Sequence, residues 1–306
     1  MPSSIQIAHD FPPFIRVYND DRVERLITIP HLPPSTDSIT GVQTKDVVIS
    51  PDLEIKSRIF LPKINPADPP RKVPLIIYVH GGAFCVGSPL NVATQGFLTP
   101  LVSQTPAVAI AIGYRLAPEH PLPAAYHDCW DAFRWIASHA SGAGPDPWIN
   151  NYVDMSRVFL VGDSAGGNLV HYLAVQAGVN HIGLDIRGLI LLHPFFSQKE
   201  PDKLIQYLYP GSSGSNDDPK LNPVSDPDLD KICCSKVLIM VAENDSLKPR
   251  GVQYNETLKK SKWEGTIELV ENKDEDHVFF MLKPSSEKTK ALFQTLISFI
   301  KQNSQI

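Results

Sequence analysis

Long apolar runs are missing from this sequence. The longest span about six residues, whereas a helix that crosses a bilayer needs about 20. No membrane partner is expected. A surplus of positive charge is missing too: 28 basic residues stand against 33 acidic ones, and the net charge of −5 leaves no electrostatic footprint for nucleic acid. Cysteine is scarce. Cys85, Cys129, Cys233 and Cys234 form no C-x-x-C pair and have no histidine at zinc-site spacing. Disulfide scaffolding and structural zinc are therefore unexpected, and buried reduced thiols suit a cytoplasmic protein. The first residues lack a basic start followed by an apolar core, so no secretory signal is expected. The sequon Asn255-Glu256-Thr257 is then expected to stay unmodified. Disorder is excluded as well, because 42% of the 306 residues are hydrophobic.

Proline, by contrast, is abundant. The 28 prolines exceed the usual share of ~5% and cluster at 62–74, 118–123, 145–147 and 210–227. Between the clusters two kinds of segment alternate. Short β-branched runs at 75–79, 107–112, 158–161, 189–192, 237–241 and 267–270 lack strict alternation, as strands covered on both faces of a parallel sheet do. Helical spacing lies between them: Ala125, Cys129, Ala132, Phe133 and Ile136 is one series, Leu169, Val170, Leu173 and Ala174 a second, and Leu292, Leu296, Phe299 and Ile300 a third. Segments 47–50 and 55–61 read as an antiparallel hairpin or meander. The pattern predicts a single α/β domain over 1–306, with a mostly parallel, doubly wound sheet and helices on both faces. Residues 209–230 form the most loop-like stretch, a candidate rim or flap.

Gly162-Asp163-Ser164-Ala165-Gly166 follows one predicted strand directly and precedes a predicted helix. That is the context of a nucleophile elbow, in which a serine hydroxyl is exposed on a sharp turn and glycines let strand and helix approach. His80-Gly81-Gly82-Ala83 follows another predicted strand. Its backbone N–H groups, with that of Ala165, can point at a developing oxyanion, and the N-terminal end of the helix near Ala165 adds positive potential. His80 itself reads as a residue that braces the loop. A serine nucleophile needs a base, and the base needs an orienting acid. In α/β hydrolases these follow the serine in the order acid, then histidine. His277 is the only histidine after His193, so it is the candidate base. Asp245, one turn past the strand at 237–241, is the preferred acid, with Glu243 as its rival. The acidic run Asp274-Glu275-Asp276 is expected to be solvated and screened. The remaining histidines are expected to be structural or superficial.

With these residues in view, a resemblance is clear. The His80-Gly81-Gly82 loop, the run Gly162 to Gly167 and Tyr114-Arg115-Leu116-Ala117-Pro118-Glu119-His120 resemble the hormone-sensitive-lipase branch of the α/β-hydrolase fold. Phe14-Ile15-Arg16-Val17-Tyr18, Val23-Glu24-Arg25-Leu26, Asp146-Pro147-Trp148 and Ser261-Lys262-Trp263 resemble the plant carboxylesterases of that branch, and the likeness runs from about residue 9 to 301. It implies a triad of Ser164, Asp245 and His277, with oxyanion donors among Gly81, Gly82, Ala83 and Ala165. Arg115, Asp128 and Asp163 become scaffold partners. The implied substrate pocket takes in Phe84, Cys85, Val86, Phe195, Val278 and Phe279, under a short cap built from residues 1–40 and 195–230. Only 52 residues separate His193 from Asp245, fewer than in plant members of the branch, which predicts a more open acyl side.

The activity so implied is hydrolysis of small-molecule carboxylic esters through an acyl-enzyme on Ser164, with no metal or cofactor. Two rival readings share the fold. Plant relatives of this branch include dehydratases and cyclases of specialised metabolism, and they include hormone receptors, which lack the catalytic histidine. The presence of His277 counts against the receptor.

Overall fold

The apolar runs become strands because helices cover them from both sides. The computed structural model describes residues 6–65, 71–197, 200–212 and 217–304. Strands β1 (Ile7–Phe11), β2 (Ile15–Tyr18) and β3 (Val23–Arg25) form a small antiparallel sheet of their own, and β4 (Gln43–Ser50) pairs with β5 (Ile55–Leu61) as the expected hairpin. Strands and helices then alternate: β6 (Val73–Val79), α1 (Val92–Gln104), β7 (Val108–Ile112), α2 (Ala124–Ala137), α3 (Pro147–Tyr152), β8 (Val153–Asp163), α4 (Ala165–Asn180) and β9 (Ile186–Leu192). After them come α5 (Lys203–Leu208), β10 (Lys236–Ala242), α6 (Lys248–Lys260), β11 (Thr266–Asn272), α7 (Phe279–Leu282) and α8 (Glu287–Asn303).

The main sheet has the order β11-β10-β9-β8-β6-β7-β5-β4. Strands β6 to β11 run parallel, and β5 runs antiparallel to both its neighbours. Alternate residues of β6 show why the pattern has no polar face. Leu75, Ile77 and Val79 pack with Cys129 of α2 and Leu169 of α4, whereas Ile76 and Tyr78 pack with Phe97 of α1 and Leu292 of α8. The chain leaves β6 for β7 on one side, then returns to β8 on the other. Loops leaving β6 and β8 therefore diverge at this switch point, where open α/β sheets bind ligands.

The N-terminal sheet lies against the loops at that end. Ile15 and Val17 are buried with Cys85, Val86, Ala117 and Leu208. The rings of His9 and Phe11 meet Tyr207 of α5 at 4.6 and 5.3 Å. Arg25 makes a bidentate pair with Glu119 at 2.7–2.8 Å and donates from Nε to the Cys85 carbonyl. The N-terminal strands thus lie over the turn at 85–86 and against α5, beside the short 193–245 segment. Parts of the expected cap, 1–5, 198–199 and 213–216, lie outside the described residues. The loop-like 209–230 region carries two single 3-10 turns, Pro223–Ser225 and Leu229–Lys231.

Several motifs behind the resemblance serve the scaffold. Asp146 caps α3 and accepts from Lys45 Nζ at 2.7 Å, Trp263 donates from its indole to the Cys234 carbonyl, and Arg115 makes a bidentate pair with Asp128. The largest charged side chain in the interior is Arg58 on β5, fully buried and held by Asp46, Gln95 and the Leu32 carbonyl. Removing one partner of a buried pair strands the other charge. Asp46→Ala is expected to cost about 3 kcal/mol in urea denaturation, at the low end for such pairs because Arg58 keeps two partners. Asp131→Ala, which breaks the exposed Arg134–Asp131 pair, is expected to stay within about 0.5 kcal/mol.

Candidate active site

The elbow forms where β8 stops and α4 starts. Ser164 between them has φ 52° and ψ −121°, a left-handed backbone that a serine adopts only under constraint. The constraint is visible. Its N–H donates to the Leu192 carbonyl at 2.9 Å, and its own carbonyl accepts from Gly167 and Phe195. Gly166 has no alternative: a Cβ there would lie 2.0 Å from the Val79 carbonyl oxygen. The first turn of α4 thus rests on the end of β6, beside the next loop.

That loop turns tightly. Gly82 has φ 110°, and a Cβ on it would meet the Val86 carbonyl at 2.2 Å. Ala83, at φ 50°, holds a conformation that favours glycine, so alanine here carries backbone strain, of the order of 1 kcal/mol. Asp163 ties the loop to the elbow. Its carboxylate accepts from the Tyr78 hydroxyl and from the Gly81 N–H at 3.1 Å. This corrects one expected oxyanion donor. The Gly81 N–H is already engaged, leaving Gly82, Ala83 and Ala165 of the expected four. Burial raises the pKa of Asp163, while the bonds from Tyr78 and Gly81 and the charge of His277 oppose that rise. His80 braces the loop as expected: its ring stacks on Tyr114 at 4.4 Å, and its Nδ1 lies 2.7 Å from the Gly81 carbonyl.

Asp245 and His277 leave the ends of neighbouring strands β10 and β11 and meet. His277 Nδ1 is 2.6 Å from Asp245 Oδ2, and the carboxylate is only 2% exposed. Oδ1 accepts from the Leu247 N–H at 2.8 Å. Asp245 is held below the usual carboxylate pKa: burial pushes it up, but the bond and charge of His277 more than offset this. The rival Glu243 faces away, bound to Lys273 and to the Asp274 N–H. In the acidic run, Asp274 pairs with Lys288, and Glu275, which is buried, pairs with Lys283.

One residue of this site was not singled out in the sequence. His193, directly after β9, is buried beside the Asp245–His277 pair, with its ring 5.9 Å from that of His277 and its Nδ1 3.9 Å from Asp245. Nδ1 accepts the Val278 N–H at 2.9 Å. The only local hint is its place at the end of a buried strand, one step before Pro194. His193, Asp245 and His277 are also the one group of metal-binding residue types whose ligand atoms converge among the described residues, within 4.8 Å. Their facing atoms are already used by one another and by backbone N–H groups, so a cation would have to displace those bonds.

The expected pocket residues divide. Phe84, Cys85 and Phe279 have no exposed surface and Val86 is 3% exposed, so they line no open pocket in this conformation. Phe279 stacks on His193, and Cys85 and Val86 lie under the N-terminal sheet. Phe195 and Val278 are partly exposed. A cavity of about 630 Å³ lies beside the loop that starts at His80, between Arg25, His80, Tyr114 and Glu119, and Ser164 does not line it.

Residues 76–281 match the family described as the alpha/beta hydrolase fold, and the chain belongs to that family. It is 40% identical over 316 residues to a protein of Arabidopsis thaliana named probable carboxylesterase 4, mitochondrial, covering 97% of this chain and 84% of that one. It is 36% identical to 2-hydroxyisoflavanone dehydratase of Glycyrrhiza echinata, over 97% of each. Among solved structures, an esterase of Pyrobaculum calidifontis superposes with a TM-score of 0.70 at 25% identity, over 85% of each chain. No described helix is long and apolar enough to cross a membrane.

Three histidines around this site are buried and held neutral by desolvation, His80 and His193 with pKa lowered to about 4 and His171 to about 3. Unfolded, each titrates near ~6.5. As pH falls from about 6.5 toward 4 the unfolded chain binds the extra protons, so stability is full above that window and drops within it. The raised pKa of Asp163 offsets part of one proton. Urea denaturation near pH 5 is expected to show stability falling by about 3–4 kcal/mol per pH unit; a flat profile from pH 7 to 5 would contradict the neutral, buried state.

Proposed function

We propose that this chain is a serine carboxylesterase acting on small-molecule esters, with Ser164 as nucleophile, His277 as base and Asp245 as its orienting acid. The observation that carries the reading is the 2.6 Å contact between His277 Nδ1 and a nearly inaccessible Asp245 carboxylate. Such a partner holds the proton on Nδ1 and frees Nε2 to act as base. Ser164 Oγ attacks the ester carbonyl as Nε2 takes its proton. The tetrahedral oxyanion is met by the N–H groups of Gly82, Ala83 and Ala165, at the positive end of α4. His277 then protonates the leaving alcohol, and water, deprotonated by the same imidazole, releases the acid from Ser164. The chemistry asks for no metal or cofactor. The N-terminal sheet and α5 serve as the cap, and the scarcity of cysteine motifs favours the cytoplasm. A small-molecule ester is the only partner the reading requires.

A second reading has one observation behind it, the likeness to a protein named as a dehydratase. Product mass separates the two, since hydrolysis adds water and dehydration removes it. Ser164→Ala is expected to abolish both turnover of short p-nitrophenyl esters and labelling by a fluorophosphonate. Asp245→Asn is expected to keep the fold and lower kcat by about 10⁴, because the imidazole loses its tautomer. Undiminished ester turnover in the Ser164→Ala variant would sink the assignment.

A further inference from the structure

We propose that His193 is a positioning residue of this site, an inference that rests on the esterase reading. Its imidazole, through Nδ1, holds the backbone turn that presents His277.

Two left-handed residues meet here. Val278, directly after the base, has φ 47°, which a β-branched residue adopts only when its surroundings impose it. His193 itself also has φ 47°. The two are joined by the bond from the Val278 N–H to His193 Nδ1 at 2.9 Å. His193 is in turn fixed on the sheet, its N–H donating to the Met240 carbonyl of β10 at 2.8 Å. Its ring is held between Phe279 and Phe280, with centroids 5.8 and 5.4 Å away. A rigid ring thus carries the position of β9 and β10 into the loop after β11.

Its neighbour Ser164 belongs to the same frame, since the Ser164 N–H donates to Leu192, the residue before His193. One residue step and two hydrogen bonds link the nucleophile's backbone to that of Val278. The tautomer follows from the bond. Because Nδ1 accepts, the ring proton sits on Nε2, and the Asn272 side chain at the end of β11 interacts with the ring. A neutral ring suits the place: a second cation 3.9 Å from Asp245 would compete with His277 for the one carboxylate that orients it.

The placement is tested by two amide substitutions. An asparagine Oδ1 can occupy the place of the imidazole Nδ1, whereas the glutamine amide reaches toward Nε2. His193→Asn is expected to keep kcat for p-nitrophenyl butyrate within about threefold of the parent. His193→Gln is expected to lose kcat by ten- to a hundredfold with KM little changed, the effect of a base displaced by about 1 Å. A purely structural role would not separate the two variants in this way, and equal kcat for both would overturn the proposal. A second readout does not depend on turnover. The proton between His277 Nδ1 and Asp245 should give a downfield NMR resonance that persists in the parent and in His193→Asn and is lost in His193→Gln. Its unchanged presence in His193→Gln would overturn the placement even if the chain hydrolyses no ester; failure of parent turnover alone would count against the esterase reading only.

Discussion

The buried carboxylate of Asp163 is the tie on which the geometry of the site depends. It ends β8 and accepts from the Tyr78 hydroxyl of the adjacent β6 and from the Gly81 N–H in the loop that follows β6. Desolvation disfavours its charge and raises its pKa, and those two donors, with the charge of His277, oppose that rise. The same bonds hold the turn at Ser164 against the loop at 80–83. Preorganised amides stabilise an oxyanion best because they do not have to reorient when charge develops. On the proposed esterase reading, rigidity at this point is part of the chemistry as well as of the fold.

The backbone at the site is unusually constrained. Ala83, Phe84, Ser164, His193 and Val278 all have positive φ, and all lie in the loops after β6, β8, β9 and β11. Each would relax if freed. Phe84, Ser164, His193 and Val278 are held by hydrogen bonds to a neighbouring strand or loop, so that strain is spread over four strand ends. The parallel sheet makes this possible, since it brings those ends to one edge with regular spacing.

The order of strands and helices was legible because burial on both faces leaves a strong local trace, as in 75–79 and 237–241. The placing of Ser164, Asp245 and His277 at strand ends was legible for the same reason, since each sits in a short motif after a predicted strand. What escaped the sequence depends on partners far along the chain. Gly81 is engaged by a residue 82 positions away, and His193 by one 85 positions away. Cys85 and Val86 resemble pocket-lining residues until the strands at 15–18 are seen to cover them. Nothing near residue 85 announces that cover. The short 193–245 segment likewise gives no local sign that Leu208 within it packs with Ile15 and Val17, nearly two hundred residues earlier.

The N-terminal sheet has its own history during synthesis. The apolar face of β2, formed by Ile15 and Val17, is buried against Cys85, Ala117 and Leu208, all of which leave the ribosome later. That face stays exposed to water until those later segments are present to cover it. These strands are made before the surface they cover, so their docking is complete only once residue 208 has emerged.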